Sequence, residues 1–111
     1  MKLSDIKGER TFDVIADIID PIAAIAEDED AAALFKPEEL PDGLTPWQFF
    51  LKRVRRSLPP LMRAHKREIA TIMATINGQT VDEYMAEISL GKLLADLTEL
   101  LGDEEFLSFF G

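Results

Sequence analysis

TPWQFFLKRVRRSLPPLMRAHKREIATIMATING, residues 45–78, is the stretch on which the fold turns. Thr45 suits the cap of a helix, Pro46 its first position, and Gln48, three residues after the threonine, completes a capping box. Trp47, Phe50, Leu51, Val54 and Leu58 then return to one side of a helix that advances ~100° per residue. Pro59 and Pro60 lack the amide hydrogens a helix interior needs, which predicts that this helix ends there and another opens. The second helix carries Leu61, Met62, His65, Ile69, Ile72, Met73 and Ile76 on its apolar face and stops at Asn77-Gly78.

Working outward, residues 11–26 predict a further helix. Ile15, Ile18, Ile19, Ile22, Ile25 and Ala26 form its apolar face, and Asp13, Asp17, Asp20, Ala24 and Glu27 the opposite side. Pro21 falls on the outer side, where a kink is expected. Glu27-Asp28-Glu29-Asp30 reads as a solvated turn before a short helix over residues 31–35, followed by a loop with Pro37, Pro41 and Asp42-Gly43. Downstream, Thr80 and Glu83 make a second capping box. Val81, Tyr84, Met85 and Ile88 share one face, whereas Leu90, Leu93, Leu94, Leu97 and Leu101 share another roughly 160° away. A break near residues 89–91 reconciles the two, since Ser89 can cap and Gly91 weakens a helix interior. Residues 103–111 read as a last short helix. No stretch alternates like a strand, so the expected fold is an all-α, compact bundle of five or six helices in a single domain, residues 1–111.

Composition agrees with a globular chain: 111 residues, 47% apolar and 30% charged, enough for one core. There are no cysteines, which removes disulfides, thiolate metal sites and cysteine nucleophiles together. No apolar run approaches the roughly 20 residues of a membrane span, and the N-terminus lacks a signal-peptide pattern, which points to the cytoplasm.

Catalytic chemistry has little to stand on. His65 is the single histidine, sits on an apolar stripe, and pairs at metal-ligand spacing only with Glu68; a histidine at the edge of the core is the reading preferred. The acidic run does not follow the order of a calcium loop, and the six glycines form no phosphate-cradling cluster. No catalytic residue, metal site or cofactor is assigned, and the chain is read as a non-enzyme.

The net charge of −9 is unevenly spread: residues 1–51 sum to −8, residues 52–67 to +7, and residues 68–111 to −8. The central block holds Lys52, Arg53, Arg55, Arg56, Arg63, Lys66 and Arg67 and no acid. A helix–turn–helix contact with DNA is the alternative reading of this block, but the acidic remainder would repel a polyanion and Pro59-Pro60 is a poor match to the short turn of that motif. Pairing with acidic protein surfaces is preferred. It includes weak self-association, with the basic block of one copy on Asp13, Asp17 and Asp20 of another. Phe49 lies off the apolar stripe of its helix, and Phe106, Leu107, Phe109 and Phe110 crowd the C-terminus. Phe49, Phe106, Phe109 and Phe110 are therefore added to the seven bases as candidate protein-binding residues, with core closure as the other role open to the C-terminal three.

These stretches also carry a resemblance. Residues 2–11 through Asp17-Ile18-Ile19-Asp20-Pro21-Ile22, His65-Lys66 with the isoleucine-rich helix after it, and residues 92–101 leading into 105–110 resemble the tail assembly chaperones of long-tailed (siphovirus-type) phages and prophages of Gram-positive bacteria. The resemblance spans nearly the whole chain and rests on pattern and size. It implies a small helical, non-catalytic protein that coats and solubilises the phage tape-measure protein until the tail tube forms, with the tail-tube protein as a further partner. It also implies a place in the cytoplasm of the bacterial host, absence from the finished virion, and often a second, longer form made by ribosomal frameshifting. It transfers no residue-level binding motif.

Overall fold

The computed structural model describes residues 2–111. Seven α-helices follow one another among these residues: α1 (Arg10–Ala26), α2 (Glu29–Ala32), α3 (Pro46–Ala64), α4 (Lys66–Asn77), α5 (Val81–Glu87), α6 (Leu90–Leu101) and α7 (Glu104–Leu107). Two 3₁₀ turns, Leu3–Asp5 and Ser108–Phe110, lie near the ends, and the described residues contain no strand. The all-α reading is correct, seven helices standing close to the five or six expected, and α2 and α7 are each only four residues long.

Both capping boxes form: Thr45 Oγ1 accepts from the Gln48 amide at 3.2 Å, and Thr80 Oγ1 from the Glu83 amide at 3.1 Å. The return bond from the Thr80 amide holds the Glu83 carboxyl below its usual range. Ser89 Oγ caps α6 by accepting from the Lys92 amide, so the break between α5 and α6 falls where the two apolar faces diverge. Gly78 closes α4 at φ +72°, a left-handed geometry that glycine adopts without a Cβ penalty.

One expected boundary is wrong. α3 runs through Pro59 and Pro60 without a break, and the junction with α4 is His65. The prolines leave the carbonyls of Arg55 and Arg56 without helical donors, but both residues are exposed, a setting in which solvent can replace the lost bonds. Fully buried Ser57 and Leu61 bracket the prolines and pin that part of the helix.

α1 packs along α4 as the most extensive helix pair, and α2 lies against α3. The core gathers Val14, Ile18, Ile22 and Ile25 of α1 with Ile69, Ile72, Met73 and Ile76 of α4 and Leu61 of α3. This corrects the phase expected for α1. Val14 is inside, while Ile15 and Ile19 are exposed, because α4 covers only one of two neighbouring apolar stripes. α1 is unbroken at Pro21, which is half-buried.

Two arginines fasten helix C-termini across the bundle. Arg10 Nη2 donates to the carbonyls of Thr75 and Ile76 at the end of α4, at 3.2 and 2.9 Å. Arg53 Nη2 lies within hydrogen-bond distance of the carbonyls of Ala33, Leu34 and Lys36 beyond α2. Each cation adds a donor to carbonyls at or just beyond a helix C-terminus, where the helix dipole favours positive charge.

Candidate protein-binding surface

The bases of residues 52–67 do not act as one block. Arg53 is spent inside the molecule on α2, with its guanidinium 5.8 Å from the centre of the Phe49 ring. Arg56 pairs with Glu38 at 2.6 Å. Lys52, Arg55, Arg63, Lys66 and Arg67 are exposed and make no ion pair among the described residues. Only His65 separates α3 from α4, which leaves no room for the turn of a DNA-binding helix–turn–helix.

Phe49, expected to be exposed, is half-buried beneath Arg53. The residues expected to face the core from the same turns, Trp47, Phe50 and Leu51, are the exposed ones. Trp47 and Phe50 stack with ring centres 5.8 Å apart. At the C-terminus, Phe106 and Phe110 are buried against Phe35, and Phe109 is exposed.

An open apolar concavity lies elsewhere, where α4, α5 and α6 meet the end of α3. It is a groove of about 460 Å³ lined by Met62, Ile69, Met85, Ile88, Leu90 and Leu93, with Lys66 at its edge. Leu90 is 74% exposed and Met85 48%, so the apolar lining continues onto the open surface. Leu94, also exposed, lies one turn beyond Leu90 on α6. The correction to the expected leucine face is that Leu97 and Leu100 enter the core while Leu90 and Leu94 do not.

The floor of the groove includes a buried tyrosine. Tyr84 is fully buried, and its hydroxyl donates to Asp96 Oδ2 at 2.6 Å, which locks α5 to α6. Burial and the Asp96 carboxylate both push the phenol pKa up, so it stays a donor. Lys92 Nζ sits 3.6 Å from Asp96 Oδ2 and 5.4 Å from the centre of the tyrosine ring. At the start of α4, His65 Nε2 is hydrogen-bonded to Asp28 Oδ2 at 2.7 Å, and Glu68 lies 3.6 Å from Nδ1. The bond to His65, aided by the Ala31 amide, holds the Asp28 carboxyl below its usual range. Asp28, expected in a solvated turn, is the cap of α2. An aspartate three residues ahead of Ala31 was a legible capping signal.

What this surface can do is bind. An apolar trough with two methionines in its wall has the form of a surface that can receive the apolar face of a helix. Among the described residues no group of three or more His, Asp or Glu side chains is placed to hold a metal, and no helix is long and apolar enough to cross a membrane. No protein-family model matches the chain, and no curated protein or solved structure matches it.

Proposed function

We propose that this protein is a non-catalytic assembly chaperone that masks the apolar helix faces of a partner. The tape-measure protein of a long-tailed phage is the partner its sequence resemblance indicates, with the tail-tube protein a second contact of the same assembly. The observation that carries the reading is the methionine-lined groove between α4, α5 and α6, with Met85 and Leu90 open to solvent. Apolar area left in water costs roughly 25 cal/mol per Å², so a long helical protein without its tube aggregates unless covered. A cover with a net charge of −9 keeps the coated complex soluble. In this reading the chain acts in the cytoplasm of the host and leaves before the virion is complete.

Co-expression with the tape-measure protein of the same genome tests it. The tape measure is expected to be insoluble alone and to co-purify in soluble form with this chain. Met85→Glu with Leu90→Glu should abolish that rescue while leaving the chain helical. If the unaltered chain leaves the tape measure insoluble, the reading fails. A second reading, nucleic-acid binding, draws on the exposed Lys52, Arg55, Arg63, Lys66 and Arg67. Retention on DNA at physiological salt, with a steep loss as salt rises, would put it in first place.

A further inference from the structure

α1 has three sides, and the core uses one. Val14, Ile18, Ile22 and Ile25 face inward. A second apolar stripe, Phe12, Ile15 and Ile19, is 79%, 37% and 43% exposed, and exposed Ala16 and Ala23 continue it, small enough to admit a close neighbour. The third side is acidic: Asp13, Asp17 and Asp20 are exposed and make no ion pair among the described residues. At ~100° per residue the acid row lies directly beside the apolar stripe. A helix facing this surface would bring apolar side chains with a row of cations alongside.

The same chain carries such a helix. On α3, exposed Leu51 and Trp47 adjoin exposed Lys52, Arg55 and Arg63, three of the five unpaired cations of the block. From Lys52 to Arg63 the basic row is ~16 Å long, against ~10 Å from Asp13 to Asp20, so it spans the acid row. α1 and α3 share no extensive contact within the molecule; α1 packs on α4 and α3 on α2. Both surfaces are therefore open at once.

We infer that copies of this chain associate with the α1 stripe of one against the basic face of α3 in another. Apolar contact between Phe12, Ile15, Ile19 and Leu51 supplies attraction, and the charge rows set orientation and partner choice. Pairing α1 with α1 would set Asp13, Asp17 and Asp20 beside their own copies, so like surfaces repel. An interface between two unlike surfaces is heterologous, and each added copy presents a fresh acceptor unless the set closes on itself. The groove between α4, α5 and α6 takes no part, which separates this inference from the chaperone reading.

Charge reversal decides the matter. One variant carries Asp13→Lys and Asp17→Lys; the other carries Lys52→Glu, Arg55→Glu and Arg63→Glu. All five positions are exposed, and circular dichroism checks that both variants keep their helix content. Sedimentation velocity of the unaltered chain should show species larger than the monomer at about 0.05 M salt that dissociate by about 0.5 M, as expected for partly screened charge contacts. Each variant alone should associate at least tenfold more weakly, and an equimolar mixture of the two should recover association. Phe12→Ser should weaken association at both salt concentrations. Met85→Glu with Leu90→Glu should leave it unchanged. A strict monomer at low salt, reversal variants that associate like the unaltered chain, or a mixture that stays monomeric would each overturn the inference.

Discussion

Two aromatic clusters in this molecule, a phenylalanine trio and a tryptophan–phenylalanine pair, have opposite fates. At the C-terminus, Phe106 and Phe110 close on Phe35, with ring centres 5.0–5.4 Å apart within the trio and Phe106 edge-on to Phe35 at 85°. At the start of α3, Trp47 and Phe50 stack on each other, yet Trp47 is 65% exposed. The difference comes from what surrounds each cluster. The tail lands on a prepared seat: buried Asp103 caps α7 through the Glu105 and Phe106 amides and also accepts from the Ser4 amide, tying both ends of the chain together. The first turns of α3 have no such seat, and their apolar side is only partly covered. An aromatic side chain is thus core or surface according to the neighbour that distant chain supplies.

The largest effect expected from this contrast is at the tail. Truncation after Gly102 removes Phe106, Phe110 and the Asp103 cap, leaves Phe35 uncovered, and should lower Tm by more than about 10 °C. Phe106→Ala alone should cost about 3–5 kcal/mol in urea unfolding. An unchanged melt in either case would mean that the tail is not part of the core. Asp103→Ala should follow at about 2 kcal/mol, because three amides lose their acceptor.

A smaller effect comes from pH. The Asp28 carboxyl is held below its ordinary value of 3.8 by His65 and the Ala31 amide. Its contribution is therefore complete above the unfolded value and is lost as pH falls through the lowered folded one. Urea midpoints should drop on acidification below about pH 4, and Asp28→Asn should flatten that part of the profile. Identical profiles for the two proteins would remove Asp28 from the account.

At the other cluster the expected change in stability is the smallest. Trp47→Ser should alter unfolding free energy by no more than about 0.5 kcal/mol, as surface substitutions generally do. A loss of several kcal/mol there would erase the contrast between the two clusters.

Local chemistry was legible where it acts over a few residues. Thr45 with Gln48, Thr80 with Glu83, Ser89 and Gly78 mark helix ends through bonds between neighbours in sequence, and all four stand where expected. The prolines misled because the rule for Pro59 and Pro60 treats a helix as isolated, whereas buried Ser57 and Leu61 hold α3 through them. Among the candidate residues, Arg53 turned inward to the carbonyls after α2, Phe49 followed it, and Arg56 paired with Glu38 at the surface. The groove escaped sequence reading because its lining comes from four helices and no single period reports it.

What the sequence by itself determined is the helical class, most helix ends, and the division of charge into −8, +7 and −8. These follow from backbone hydrogen bonding, capping and composition, which act within a turn or two or do not depend on fold at all. Only the tertiary structure decided which of two apolar stripes α1 buries, which cations remain free, and where an open apolar groove lies. Periodicity gives the angle between stripes and says nothing of which one α4 will cover. That choice belongs to packing among residues far apart in the chain.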